Sequence, residues 1–282
     1  MFAGTYTALV TPFTEDHIDE IAFERLIESQ IEAGITGLVP VGTTGESPTL
    51  SHAEHARVIE LAVKYARKRV PVIGGAGSNS TAEAISLAKG AEEVGADGLL
   101  IVAPYYNKPS QEGLIQHYTK IARSTKLPIV LYSIPARSVI EIGVETVARL
   151  AADCPNIVAI KEAGGSVERV SQLRRALPDR FSILSGDDSQ TLPFMSVGAS
   201  GVISVASHLI PRQLCAMVKA ALDGNFVEAR RLHLEYYPIF KDIFMEPSPA
   251  PIKAGLAMLG MMKPDVRLPL CGMTEAGRKK LE

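Results

Sequence analysis

Gly34-Ile35-Thr36-Gly37-Leu38-Val39-Pro40-Val41 returns, in altered letters, as Gly95-Ala96-Asp97-Gly98-Leu99-Leu100-Ile101-Val102 and again as Gly198-Ala199-Ser200-Gly201-Val202-Ile203-Ser204-Val205. In each copy a glycine closes an amphipathic segment, two residues turn the chain, and a run with the character of a buried strand begins. The helix before the first copy is marked by Phe23, Leu26, Ile27 and Ile31 on one face. Similar apolar runs occupy residues 5–10, 71–75, 128–132, 157–161 and 181–185. Eight strands alternating with helical segments predict an α/β fold, a (β/α)8 TIM barrel, over residues 1–224. Ser51-His52-Ala53-Glu54 and Ser80-Thr81-Ala82-Glu83 have the spacing of capping boxes and predict two helix starts. From residue 225 the rhythm changes. Residues 226–244 and 252–261 read as helices separated by Glu246-Pro247-Ser248-Pro249-Ala250-Pro251, so 225–282 is expected to be a small C-terminal helical region, packed on the barrel or on a neighbouring subunit.

The chain has 282 residues, 46% of them hydrophobic, with 29 basic and 31 acidic side chains. That near-balance argues against nucleic acid or a membrane surface as partner. No apolar run approaches the ~20 residues of a membrane span. A strand is expected within a few residues of the start, which leaves no room for a targeting segment. Cys154, Cys215 and Cys271 lie far apart without a CxxC spacing, so disulfides and zinc are not expected and a reducing cytoplasm fits.

Barrel enzymes place their chemistry at the C-terminal rim, so the residues just after each strand carry the information. Those residues are Gly42-Thr43-Thr44-Gly45-Glu46-Ser47, Pro104-Tyr105-Tyr106-Asn107, Tyr132 through Arg137, Lys161, and Ser185-Gly186-Asp187-Asp188. Lys161 ends the run Asn156-Ile157-Val158-Ala159-Ile160-Lys161-Glu162-Ala163-Gly164-Gly165, where alternation puts it on the face of Ile157 and Ala159. A lone amine at the end of an apolar row is driven towards its neutral, nucleophilic form. A lysine leaving the strand for solvent is the plainer alternative. Tyr132 has the side-chain parity of the buried row and either faces Lys161 or merely fills the barrel. Thr43 and Thr44 either pass protons and bind substrate or are ordinary turn residues, and the amides of Gly42–Gly45 suit a small carboxylate. The inventory matches imine chemistry: a neutral lysine attacks a keto group, and loss of water leaves a protonated imine that serves as electron sink. Neither glycine loop carries a complete phosphate or dinucleotide motif.

In order and spacing, Gly42-Thr43-Thr44-Gly45-Glu46, Pro104-Tyr105-Tyr106-Asn107, Tyr132 with Pro135 and Arg137, Ile160-Lys161-Glu162-Ala163 and Ser185-Gly186-Asp187-Asp188 resemble the dihydrodipicolinate synthase family of pyruvate-dependent class I aldolase-type lyases. The resemblance covers nearly the whole chain, including Pro249-Ala250-Pro251-Ile252-Lys253 and Arg267-Leu268-Pro269 in the tail. It implies that Lys161 forms an imine with pyruvate, which condenses with L-aspartate 4-semialdehyde to 4-hydroxy-tetrahydrodipicolinate on the route to diaminopimelate and lysine. No cofactor and no metal are implied. Tyr132, Thr43 and Tyr106 match a proton relay in which the phenol at position 106 comes from an adjoining subunit of a homotetramer built as a dimer of dimers. Thr43 and Thr44 match the pyruvate carboxylate site, Arg137 the carboxylate site of the aldehyde, and Gly186 and Ile203 positions whose backbone lines the pocket. His52 and His55, three apart on a helix, read as a solvated face or half a metal site on their own. With Ser47, Asn79, Glu83 and Tyr105 they match the family's regulatory L-lysine pocket, although Glu83 also suits the capping box of Ser80. Four positions depart from the family pattern: Ser133 stands for Asn, Val139 for Gly, Gly164 for Ser or Thr, and Ser248 for Asn. The first two flank Arg137 and bear on the aldehyde partner. The alternatives are a related sugar-acid aldolase or dehydratase, of the N-acetylneuraminate lyase kind, and a catalytically dead lysine-binding barrel. Arg137 speaks against the former and the intact Lys161, Tyr132, Thr43 and Tyr106 against the latter.

Overall fold

The computed structural model describes residues 2–282. Eight parallel strands, Gly4–Ala8, Gly37–Val39, Ile73–Gly75, Gly98–Val102, Ile129–Ser133, Ile157–Glu162, Ser182–Ser185 and Gly201–Ser204, pair in sequence order, and the first also pairs with the eighth. A Leu38–Val72 bridge, the Leu38 N–H to Pro71 O bond (2.9 Å) and the Gly75 N–H to Pro40 O bond (3.0 Å) close the ring between the second and third strands. These are the eight strands read from the sequence, with their ends shifted. Their apolar rows are buried on both faces, under helices outside and against each other inside, which is why the sequence runs hold no polar alternation.

The repeated glycine segment has a common geometry. Gly34, Gly95 and Gly198 all have left-handed φ (+89°, +89° and +104°) just past a helix end. In each, the glycine N–H bonds the carbonyl three residues back and the next N–H reaches five back, as Ile35 to Gln30 (3.3 Å), Ala96 to Ala91 (3.0 Å) and Ala199 to Phe194 (3.0 Å). This double closure satisfies the last helical carbonyls and aims the chain into the next strand; a side chain would be strained at that φ.

Ser51 forms the expected reciprocal box with Glu54. The second box is a correction. Ser80 Oγ accepts the Glu83 N–H at 3.4 Å, but Glu83 does not reach back, because its carboxylate is engaged by Ser78 Oγ and His52 Nε2 while Ser78 Oγ takes the Ser80 N–H. The tail folds as helices Phe226–Asp242, Ala250–Met258 and Glu275–Leu281, the last not foreseen, nor was the small hairpin Phe13–Thr14/His17–Ile18. Phe226–Asp242 packs on the last barrel helix, Pro211–Leu222. Residues Ala250 through Leu256 are buried throughout, so this part of the tail belongs to the core rather than lying on its surface. Among the described residues no helix is long and apolar enough to cross a membrane.

Candidate active site

Parallel register sets the site's central pair. Tyr132 on the fifth strand is paired with Lys161 on the sixth, flanked by Val102 and Leu184 at the same level. Residues in register on adjacent parallel strands point the same way, so amine and ring meet in the barrel's upper layer. Lys161 is 5% exposed and its Nζ lies 4.2 Å from the Tyr132 ring centroid. Among the described residues that amine has no ion pair, whereas the buried Arg169 pairs with Glu162 and Glu141 and the buried Lys253 with Glu46. Gly186 explains itself at this point. A Cβ there would lie 3.0 Å from Lys161 Cε and 2.7 Å from Ala163 Cβ, so any side chain would displace the lysine.

Glu162, next in sequence, points out of the barrel and is fully buried. It accepts Arg169 Nε (2.8 Å) and the Gly164 N–H (2.7 Å). Burial pushes its carboxyl above the usual range, with Arg169 and the Gly164 amide pulling the other way. The pair fixes the turn just beyond Lys161. Sequence parity put Glu162 on this face but named no partner for it.

The loop after the second strand turns tightly at Gly42–Gly45, where Gly45 N–H bonds Gly42 O (3.1 Å) and Glu46 N–H bonds Thr43 O (3.2 Å). Among the described residues the Thr43 and Thr44 amides bond no backbone carbonyl. Two unspent donors at the end of a strand suit an anionic oxygen. Arg137 follows the fifth strand in the short helix Pro135–Ser138, exposed and, among the described residues, without an ion pair.

Thr43, Tyr132 and Arg137 line a cavity of about 440 Å³; Lys161 and Gly186 do not line it, and Lys161 lies against it only through the Tyr132 ring. Its wall also includes Ser47, His52, His55, Glu83 and Tyr105. His55 is 4% exposed, its Nε2 has no partner, and burial beside His52 pulls the imidazole down to about 4 against a backbone hydrogen bond at Gly75. Glu83 is held below the ordinary carboxylate range by Ser78 and then by His52, which lies 2.9 Å away. Ser78, absent from the sequence reading, is what turns Glu83 towards the cavity.

Other expected residues sit elsewhere. Thr44 is buried behind Thr43, Ile203 is buried in the eighth strand, and Asn79 uses its carbonyl to accept Asn107 Nδ2 (2.9 Å); none lines the cavity. Tyr106 is 89% exposed with φ +71° and is not brought to Lys161 within this chain. Two departures resolve differently from their placement in sequence. Ser133 faces outward, fully buried, its Oγ accepts the Ile142 N–H at 3.4 Å, and it does not line the cavity. Val139, 62% exposed, holds φ +67°, a conformation costly for a β-branched residue and natural for the glycine it replaces. Among the described residues no group of three His, Cys, Asp or Glu side chains is placed to hold a metal ion.

The dihydrodipicolinate synthetase family pattern matches residues 1–282. A protein of Syntrophus aciditrophicus named 4-hydroxy-tetrahydrodipicolinate synthase is 53% identical over 282 residues, covering 100% of this chain and 97% of its own. The structure of the 4-hydroxy-tetrahydrodipicolinate synthase from Methylacidiphilum fumariolicum SolV superposes with a TM-score of 0.98 at 56% identity, over 100% of this chain and 94% of the other. Two further solved relatives carry ligands. The chloride-inhibited dihydrodipicolinate synthase of Acinetobacter baumannii, 41% identical with a TM-score of 0.97 over 100% and 97% of the two chains, is complexed with pyruvate. The enzyme of Cyanidioschyzon merolae, 42% identical with a TM-score of 0.96 over 99% and 96%, has lysine bound. A match across the whole length, with the same barrel, makes this chain an enzyme and a member of the dihydrodipicolinate synthetase family.

Proposed function

We propose that the protein condenses pyruvate with L-aspartate 4-semialdehyde to 4-hydroxy-tetrahydrodipicolinate through an imine on Lys161. The observation that carries this reading is the Lys161 amine, buried without a carboxylate among the described residues and lying over the Tyr132 ring at the rim of the barrel. In the proposed sequence Lys161 Nζ attacks the keto carbon of pyruvate and water leaves. Loss of a methyl proton gives the enamine, whose carbon attacks the aldehyde. The amino group of the adduct then closes on the imine carbon and releases Lys161. Tyr132 and Thr43 move the protons, the latter from the cavity wall. The unspent Thr43 and Thr44 amides take the pyruvate carboxylate, and Arg137 takes the carboxylate of the aldehyde as a two-pronged donor. Gly186 and Ile203 supply backbone around the keto acid. The imine is its own electron sink, so the reading calls for no cofactor.

Two finer parts belong to the same proposal. The exposed Tyr106 completes the relay in a neighbouring subunit of a homotetramer. L-lysine acts as feedback inhibitor, held by Ser47, His52, His55, Glu83 and Tyr105 on the cavity wall and by Asn79 from outside that lining. Glu83 as a carboxylate and the unpartnered His55 Nε2 as an acceptor suit the ligand's two ammonium groups. The three cysteines are unpaired, in keeping with a reducing cytoplasm.

Borohydride reduction in the presence of pyruvate, followed by peptide mass spectrometry, is expected to fix the keto acid on Lys161. An adduct elsewhere, or none, overturns the imine. Turnover with aspartate semialdehyde but not N-acetylmannosamine is expected; the reverse would favour a sugar-acid aldolase.

A further inference from the structure

Glu46 ends the loop whose amides are proposed to hold the oxo acid, and nothing in the reaction uses it. Its backbone is left-handed, φ +56°, as is that of Val41 at the other end of the turn, φ +51°. Two non-glycine residues in that region are strained, and such a loop keeps its shape only when the surroundings over-determine it. The surroundings here are the C-terminal tail. The Glu46 carboxylate, completely buried, takes Lys253 Nζ on one oxygen and the Arg267 N–H (2.9 Å) on the other. Lys253, also completely buried, gives a second hydrogen bond to Asp265 O (2.8 Å) and lies 4.3 Å from the Phe13 ring centroid. Arg267 lies over the same ring (4.4 Å) and extends the tether by donating to Asp16 Oδ1 (2.8 Å), to Thr49 O (3.0 Å) and to both oxygens of Glu54. From the barrel side, Thr11 Oγ1 holds Gly45 O (2.7 Å). The loop is thus clamped from below by a lysine 207 residues away in sequence.

We infer that Glu46 and Lys253 are positioning residues: their buried ion pair sets the Thr43–Thr44 amides in the geometry that binds the oxo-acid carboxylate, and so controls substrate affinity at the active site. The inference rests on the proposed function. Burial draws the Lys253 ammonium down to about 8, with Glu46 and Asp265 opposing, so the clamp is anchored by the carboxylate beside it rather than by solvent. A pair that served only to hold the tail down would have no reason to engage the loop that carries the unspent Thr43 and Thr44 amides. The pair holds the loop at Glu46, two residues past the Thr44 amide.

The test uses the full-length protein with both charges removed, Glu46→Gln with Lys253→Met, which leaves no stranded ion. Expected is a rise of tenfold or more in KM for pyruvate, with kcat changed less than threefold and KM for the aldehyde unchanged. Borohydride trapping on Lys161 should be complete at saturating pyruvate, and half-trapping should shift to correspondingly higher concentration. Lys253→Arg, which keeps the charge, should recover most of the affinity. An unchanged pyruvate KM in the folded double variant overturns the inference, as does a fall in kcat alone. If the double variant does not fold, Glu46→Gln alone and Thr11→Val, which removes only the bond to Gly45, are read by the same criterion. Wild-type protein is trapped in parallel. Absence of an adduct there overturns the proposed function and this inference with it, whereas a trapped wild type with unaltered variants overturns the inference alone.

Discussion

Lys161 and Lys253 form a natural pair for comparison. Both are buried, at 5% and 0% exposure, and both amines lie over an aromatic face, 4.2 Å from Tyr132 and 4.3 Å from Phe13. They differ in company. Lys253 has a carboxylate and a carbonyl; Lys161 has neither among the described residues. A buried polar group without a partner is costly, which fits the proposed use of Lys161 as the group that meets the substrate. The arginines repeat the contrast. Arg169 is buried and bound to Glu162, while Arg137 stands unpaired at the cavity.

The comparison can be broken most decisively at Lys161. Lys161→Ala is expected to lower turnover by several orders of magnitude while leaving the denaturant midpoint nearly unchanged or raised; a near-normal rate would abolish the distinction. Lys253→Met alone should do the opposite to stability. It strands the Glu46 carboxylate and is expected to cost about 3–5 kcal/mol in urea unfolding. A loss as small as that for Lys161→Ala would make the two lysines equivalent.

Histidines extend the test to pH. In His208, Nδ1 donates to Val205 O (2.8 Å) and Nε2 accepts the Val10 N–H (3.2 Å), so both nitrogens are spent and the ring is neutral. Burial pulls His208, His117 and His55 each down to about 4. Their folded-state values lie below the ordinary 6.5, so the unfolded chain binds more protons between those limits. Stability is therefore expected to be fully present above pH 6.5 and to fall as pH drops towards 4. A flat midpoint across that window would contradict the burial.

The eight strands were legible because each is a buried apolar run and because the glycine closures recur. The hairpin at Phe13–Ile18 was not, since two-residue strands carry no periodicity, and the charged helix Glu275–Leu281 has no buried face to announce it. Lys161 beside Tyr132 followed from parity and neighbouring strands. Parity also had the information to place Ser133 outside the barrel, opposite to Tyr132, where proximity to Arg137 suggested otherwise. Glu83 looked like a capping residue because nothing local showed that Ser78 would displace it. The Glu46–Lys253 contact joins residues far apart in sequence, and only the closed fold brings them together.

Smaller effects sharpen the contrast further. Arg137→Ala, removing an unpaired cation, is expected to raise the aldehyde KM roughly tenfold or more, as for a lost hydrogen bond to a charged group, without destabilising the fold. Unchanged kinetics would mean another side chain holds that carboxylate. Val139→Gly should stabilise the protein by about 1 kcal/mol through relief of its left-handed backbone, read as a higher midpoint with unchanged slope. No gain would mean that the loop relaxes its strain elsewhere.

The undivided cavity has a consequence for how this sequence can drift. Gly42 and Leu100 wall a single chamber that runs from Arg137 to Glu83. Bulk added beside Glu83 therefore narrows the same space that Arg137 faces, and neither part of the wall can be reshaped without altering what the other part meets.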